Sequence, residues 1–202
     1  MTNTEVCEWY GVSCMFNDRS RLGISLRNNN LSGTIPNTAA DFLRNSLIML
    51  NLRNNTLSGP LPRNLSLASK LGHLLLGGNQ FTGGLHPSWS DLSGLIVLDL
   101  SENNYLDGIL PHEFSVLSSL ELLDVSETSI GGSIPSSYQH MTSLRAFHFQ
   151  NTDIVGTVPS ELCQNAYSSQ GEDPILLTGN CEVDSVTAGA VTCPCCTTCC
   201  SD

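Results

Sequence analysis

The chain has 202 residues and a formal net charge of −11, yet only 13 % of its side chains are charged. That length suits one domain of ordinary size, and the negative balance argues against neutralising nucleic-acid phosphates or anionic membranes. The charge is uneven: residues 1–70 carry seven Arg/Lys against four acids (+3), and residues 71–202 carry one Arg against fifteen acids (−14).

The first residues, Met1-Thr-Asn-Thr-Glu-Val-Cys7, contain no apolar h-region, so no signal peptide is read there. Nine cysteines and three Asn-x-Ser/Thr sequons, at Asn30, Asn54 and Asn64, nevertheless point to a secretory origin. Together these features read as a fragment of a longer gene. Residues 7–14 follow C-x-W-x-G-V-x-C and form a compact two-cysteine unit. Zinc held by Cys7 and Cys14 is disfavoured, because no second cysteine pair stands nearby.

From Leu50 to Pro62 the chain reads L-x-L-x-x-N-x-L-x-G-x-L-P, and copies begin at Ile24, Leu50, Leu74, Leu98, Leu123 and Phe147. The steps are 26, 24, 24, 25 and 24 residues. Six copies at that spacing mean a solenoid. The L-x-L half alternates with period two, a short strand with both leucines on one side. Copies stack in parallel, and parallel strands need crossovers. These carry apolar residues three apart, as in Leu65, Ala68 and Leu71 or Trp89, Leu92 and Leu95, which suits 3₁₀ or short helical turns. The asparagines Asn29, Asn55, Asn79 and Asn104 are expected to satisfy buried backbone groups as a ladder, since each amide both donates and accepts. An inserted residue in repeat four lets Asn103 or Asn104 take that place. Thr128 and Thr152, with one hydroxyl each, break the ladder. The crossover of repeat one, Asn37 to Ser46, is two residues longer than the others and Leu22 stands one place off; repeat three has His86 where proline belongs.

After Pro159 the pattern stops. Gln164–Pro174 reads as a polar loop, and the end holds Cys193, Cys195, Cys196, Cys199 and Cys200. Such a cluster could hold a soft metal, but oxidised pairs are favoured behind a secretory solenoid.

Over about residues 7 to 181 the repeat resembles the plant-type leucine-rich-repeat family, known from receptor ectodomains and from secreted inhibitors of pectin-degrading enzymes. The resemblance implies an α/β solenoid, a right-handed superhelix with a parallel sheet on its concave face and 3₁₀ turns outside. It also implies cap disulfides Cys7–Cys14 and Cys163–Cys181. The division expected, with its caps implied by this resemblance, is 1–21 as a partial N-terminal cysteine cap, 22–160 as six repeats, and 161–202 as a C-terminal cap and tail. Function would be recognition, with no cofactor: a protein, peptide or glycan ligand, met outside the cell or at its surface. A secreted enzyme inhibitor and an ice- or wall-binding surface protein are the alternatives. Membrane association is expected only through a segment outside this chain.

No G-x-S-x-G, H-E-x-x-H, Walker or kinase signature occurs. The histidines lie in different repeats, and Asp99 and Asp124, though roughly 5 Å apart at strand spacing, belong to a family habit with no catalytic role. The residues between and after the leucines face outward as columns on the concave side. Their ligand-binding candidates are Arg27, Arg53, Leu75, Gly77, Gly78, Asp99, Glu102, Asp124, Glu127 and His148. The face is read as basic at its start, bare at Gly77–Gly78, and acidic at repeats four and five, where a basic or polyhydroxylated ligand would dock.

Overall fold

The computed structural model describes residues 12–14, 21–39, 44–162, 176–179, 191–193, 196 and 198–199. Stacked L-x-L segments form a nine-stranded sheet whose order follows the chain. Its strands are β1 (Val12–Cys14), β2 (Leu22–Ser25), β3 (Leu47–Asn51), β4 (His73–Leu75), β5 (Val97–Asp99), β6 (Leu122–Asp124), β7 (Ala146–Phe149), β8 (Leu176–Gly179) and β9 (Thr198–Cys199). From β2 onward every pairing is parallel, with core leucines opposite core leucines, as in Leu50↔Leu74 and Leu74↔Leu98. β1 runs antiparallel to β2, so the strand of the N-terminal cap covers the open edge of the first repeat.

Among the described residues the crossovers fold into 3₁₀ turns at Arg63–Leu67, Pro87–Asp91, His112–Val116 and Ser136–His140. The residues three apart in each crossover are all buried, from Leu65, Ala68 and Leu71 to Tyr138, Met141 and Leu144. Two large ones also carry polar tips that must be answered. Trp89 Nε1–H donates to the Pro62 carbonyl at 3.2 Å, and the Tyr138 hydroxyl donates to the Pro111 carbonyl at 3.1 Å. Each bond reaches back 27 residues, so the apolar spine is also a hydrogen-bonded one. Where His86 replaces proline, its Nδ1 accepts from Ser88 N–H at 3.1 Å and caps the turn.

The second half of each repeat makes further strands beside the main sheet. Ser32–Gly33, Thr56–Pro60 and Gln80–Thr82 pair in parallel, as do Gly131–Gly132 with Asp153–Ile154. The repeat's glycine is the kink between this layer and the crossover: at all six copies its φ lies between 72° and 95°, a region that side chains rarely adopt.

The asparagine ladder runs through Asn55, Asn79 and Asn103. Asn79 Nδ2 donates to the carbonyls of Leu52, Leu76 and Gly77, and its Oδ1 accepts from Leu57 N–H. Asn103 repeats that set one turn on, with Leu76, Leu100, Ser101 and Phe81 N–H. The expected rung Asn104 is corrected to Asn103, which is fully buried while Asn104 is exposed. Asn29 stands at the ladder's first place but is exposed, and its side-chain amide donates to the Arg27 carbonyl within its own turn; the amide bonds that join these two turns come from Asn55, which accepts from Asn29 and Leu31 N–H and donates to the Leu26 carbonyl. Thr128 and Thr152 bond only within their own turns, to the Val125 and Phe149 carbonyls. The ladder stops there.

The solenoid does not end at Pro159. β8 continues the sheet in register with β7, and β9 pairs with β8. Gly179 stands where a core leucine would, because the Phe149 ring already fills the place its side chain would take. Val158, Leu162, Leu177 and Val191 extend the core into this region. Cys193 and Cys196 form a disulfide packed against it. The expected Cys7–Cys14 and Cys163–Cys181 pairs lie outside the described residues and side chains.

Candidate functional site

Strand register fixes which side chains share the concave face. Gly23, Met49, His73, Val97, Leu122 and Ala146 make one column; Ser25, Asn51, Leu75, Asp99, Asp124 and His148 make the next. Two further columns follow just past the strands, the second being Asn28, Asn54, Gly78, Glu102, Glu127 and Asn151. Every residue of that column has φ between 53° and 66°. The chain turns off the sheet there in a left-handed conformation, which Asn and Gly tolerate and most side chains do not. Four repeats obey that preference. Glu102 and Glu127 defy it, and both are exposed.

The middle of the face is not bare. Arg53 reaches across Gly77 and its Nε pairs with Oδ2 of Asp99, two repeats away. A side chain at Gly77 would prevent this, since its Cβ would lie 2.8 Å from Ser101 Oγ and 2.9 Å from Asp99 Oδ1. Gly78 is likewise covered, its Cβ position being taken by Asn54 Oδ1. The room expected over Gly77 and Gly78 is thus filled from repeat two.

Asp99 is 1 % exposed and its partner Arg53 is 44 % exposed. Asp99 Oδ1 accepts from Ser101 N–H at 3.1 Å and Ser101 Oγ–H at 2.7 Å, while Oδ2 takes no hydrogen bond and has the guanidinium's charge alone. Burial pushes the Asp99 carboxyl above the ordinary aspartate range, against the lowering pull of Ser101 and Arg53. Asp124 is held the same way, by Ser126 N–H at 3.0 Å and Ser126 Oγ–H at 2.6 Å. The Asp-x-Ser pattern is therefore a local clasp at both positions. Asp99, expected as a ligand contact, is buried beneath Arg53.

At the far end, His148 Nδ1 lies 2.6 Å from the Thr178 hydroxyl, which also bonds Gln150 Oε1 at 2.7 Å. Thr178 comes from β8, beyond the repeats that the motif reveals. The clue is the run Leu176-Leu177-Thr178-Gly179, a strand pattern with its second leucine cut to glycine.

Of the remaining candidates, Arg27, Glu102 and Glu127 are exposed, and Leu75, Asp124 and His148 are half-buried. Among the sequons, Asn30 and Asn54 are exposed and Asn64 is half-buried. No group of three or more metal-ligating side chains gathers among the described residues.

Known proteins share this architecture. Leucine-rich-repeat sequence models match residues 46–67 and 82–130. Receptor-like protein 39 of Arabidopsis thaliana is 36 % identical over 99 residues, which is 48 % of this chain and 11 % of that protein. The solved ectodomain of the receptor kinase SOBIR1 from the same plant is 31 % identical, with TM-score 0.64, over 73 % of this chain and 84 % of its own. The ectodomain of GASSHO1/SCHENGEN3, solved in complex with CASPARIAN STRIP INTEGRITY FACTOR 2, is 28 % identical with TM-score 0.73 over 86 % of this chain and 19 % of its own. A plant ice-binding protein is 25 % identical with TM-score 0.75 over 89 % of this chain and 55 % of its own. With these matches, the chain belongs to the leucine-rich-repeat family of the plant receptor-like type.

Proposed function

We propose that this chain is a non-catalytic recognition module, working outside the cell or at its surface, that binds a protein or peptide across its concave face. The observation that carries this reading is the pair Glu102 and Glu127. They stand on adjacent turns, exposed, in a left-handed conformation that costs each about 1–2 kcal/mol. Strain of this kind clusters at functional sites, and two like charges at strand spacing add repulsion. A basic segment would relieve the repulsion, with Leu75, Val97 and Leu122 offering apolar contact beside it. The receptor-like relatives support the class of function, though the chain spans only 11 % of the curated one.

An array of peptides and glycans, probed with the wild type and with Glu102→Lys/Glu127→Lys, tests the site. The double variant should associate more slowly and with weaker salt dependence. Equal binding by both proteins to every ligand found would move the site elsewhere.

A second reading, adhesion to an extended surface such as ice, is favoured by the likeness to the plant ice-binding protein. The outward positions of the side layer, Thr56, Ser58 and Thr82, make a partial hydroxyl row, interrupted by Pro60 and Gln80. An ice-recrystallisation assay separates the two readings.

A further inference from the structure

Gly72 and Gly94 stand in the turns that lead into β4 and β5. Neighbouring repeats carry Ile48 and Ile96 in place of the first, and Lys70 and Ser119 in place of the second. The two missing side chains leave a hollow of about 440 Å³ at the leading edge of the sheet. Ile48, Met49 and Ile96 form its apolar floor; Arg21, Lys70 and His73 stand around it. Among the described residues no carboxylate lines it, in a chain whose net charge is −11.

The backbone holds this hollow open. Leu22 pairs with Leu47 and Gly23 with Met49, which leaves Ile48 as the extra residue of a bulge. A bulge re-aims a side chain, and Ile48 is thereby one of the floor residues instead of a core one. Gly72 N–H donates to the Ile48 carbonyl at 2.9 Å, and the Gly72 carbonyl accepts from Ile96 N–H at 2.7 Å and Val97 N–H at 3.0 Å. Such a preformed, mostly apolar concavity with a Lys70 ammonium at its rim has the character and size of a small-molecule site.

We propose that this hollow binds a small organic anion with an apolar body, of the aryl carboxylate or aryl sulfonate class. The flat body lies on Ile48, Met49 and Ile96, and the anionic group meets the Lys70 ammonium at the rim. Glu121 occupies the next place after Ile96 in the same column, so a longer polyanion running that way meets a like charge. The site therefore takes one small anion.

Calorimetric titration of the intact chain with 2-naphthalenesulfonate, its neutral counterpart 2-naphthalenemethanol, and inorganic sulfate tests the assignment. The sulfonate should bind saturably, one to one, with Kd below about 1 mM, and more tightly than either control. Lys70→Glu should weaken the sulfonate by about fivefold and leave the neutral compound unchanged. Gly94→Leu should abolish binding by filling the hollow; a Cβ there meets nothing nearer than 3.9 Å, so the fold has room for it, and the melting temperature verifies that. Glu161→Gln, exposed just past the last repeat, should bind as the wild type does. No saturable binding, equal affinity for the neutral compound, or undiminished binding by a folded Gly94→Leu protein would overturn the proposal.

Discussion

Arg53 and Asp99 are ion-paired although two repeats separate them, and they meet over Gly77, whose lack of a side chain makes the contact possible. The pair crosses the concave face from its basic third to its acidic half. It ties repeats two and four directly, past the one between them.

Arg53→Ala would leave a carboxylate that is 1 % exposed without its counter-charge. We expect a loss of about 1–2 kcal/mol at neutral pH, below the value for a fully buried pair because Arg53 is itself half exposed. The folded Asp99 carboxyl already titrates above its ordinary value, so the native state takes up its proton before the unfolded chain does. Its contribution to stability is therefore complete below the unfolded pKa and is lost as pH rises through the folded one. Removing Arg53 raises the folded pKa further, so the variant's deficit should shrink as pH is lowered toward 4. Urea unfolding at several pH values checks this; a deficit independent of pH would show that Asp99 is not the group left exposed to the change.

Gly77→Ala addresses the same contact from the other side. Its Cβ would lie 2.8 Å from Ser101 Oγ, so the Asp99–Ser101 clasp or the arginine must shift. A loss of about 1–3 kcal/mol is expected, and thermal unfolding should show it. The double variant Arg53→Ala/Gly77→Ala should lose less than the sum of the two single losses, since both act on one contact.

The ladder makes a sharper comparison. Asn103→Ala removes an amide that serves three carbonyls and one N–H in the buried bend. Each group left unsatisfied costs about 1–3 kcal/mol. Asn104→Ala, at an exposed position, should change stability by less than about 0.5 kcal/mol. Equal losses in chemical unfolding would contradict the assignment of the rung.

Much of this architecture is legible from residues alone. The period places β2 to β7, the crossover triplets and Asn55 and Asn79 correctly, because a leucine every 24 or so residues leaves one way to bury itself. What escapes the motif is what depends on neighbours in space. Asn103 and Asn104 are chemically identical, and only the path of the inserted residue decides which turns inward. Gly77 looks vacant in sequence, whereas its space is claimed by an arginine from the preceding turn. Thr178 is hidden because Gly179 replaces the leucine that would have marked its strand, and the reason is the Phe149 ring one repeat earlier. Ile48 is not marked by the repeat pattern, and only the pairing of Leu22 with Leu47 and Gly23 with Met49 makes it a bulge. The second layer of strands was likewise unread, although its L-x-G-x-L alternation is present in every copy.

The strained glutamates offer the most direct test of the recognition role. Asparagine suits the left-handed conformation that Glu102 and Glu127 adopt, and already fills that place at Asn28, Asn54 and Asn151. Glu102→Asn/Glu127→Asn should therefore raise stability by about 1–2 kcal/mol in all, or about 2–8 °C in Tm. The measurement is melting temperature and affinity for the array-selected ligand, taken on the same two proteins. The account predicts that the double variant melts higher and binds at least about tenfold more weakly. A variant that melts higher and binds as well as the wild type would contradict it.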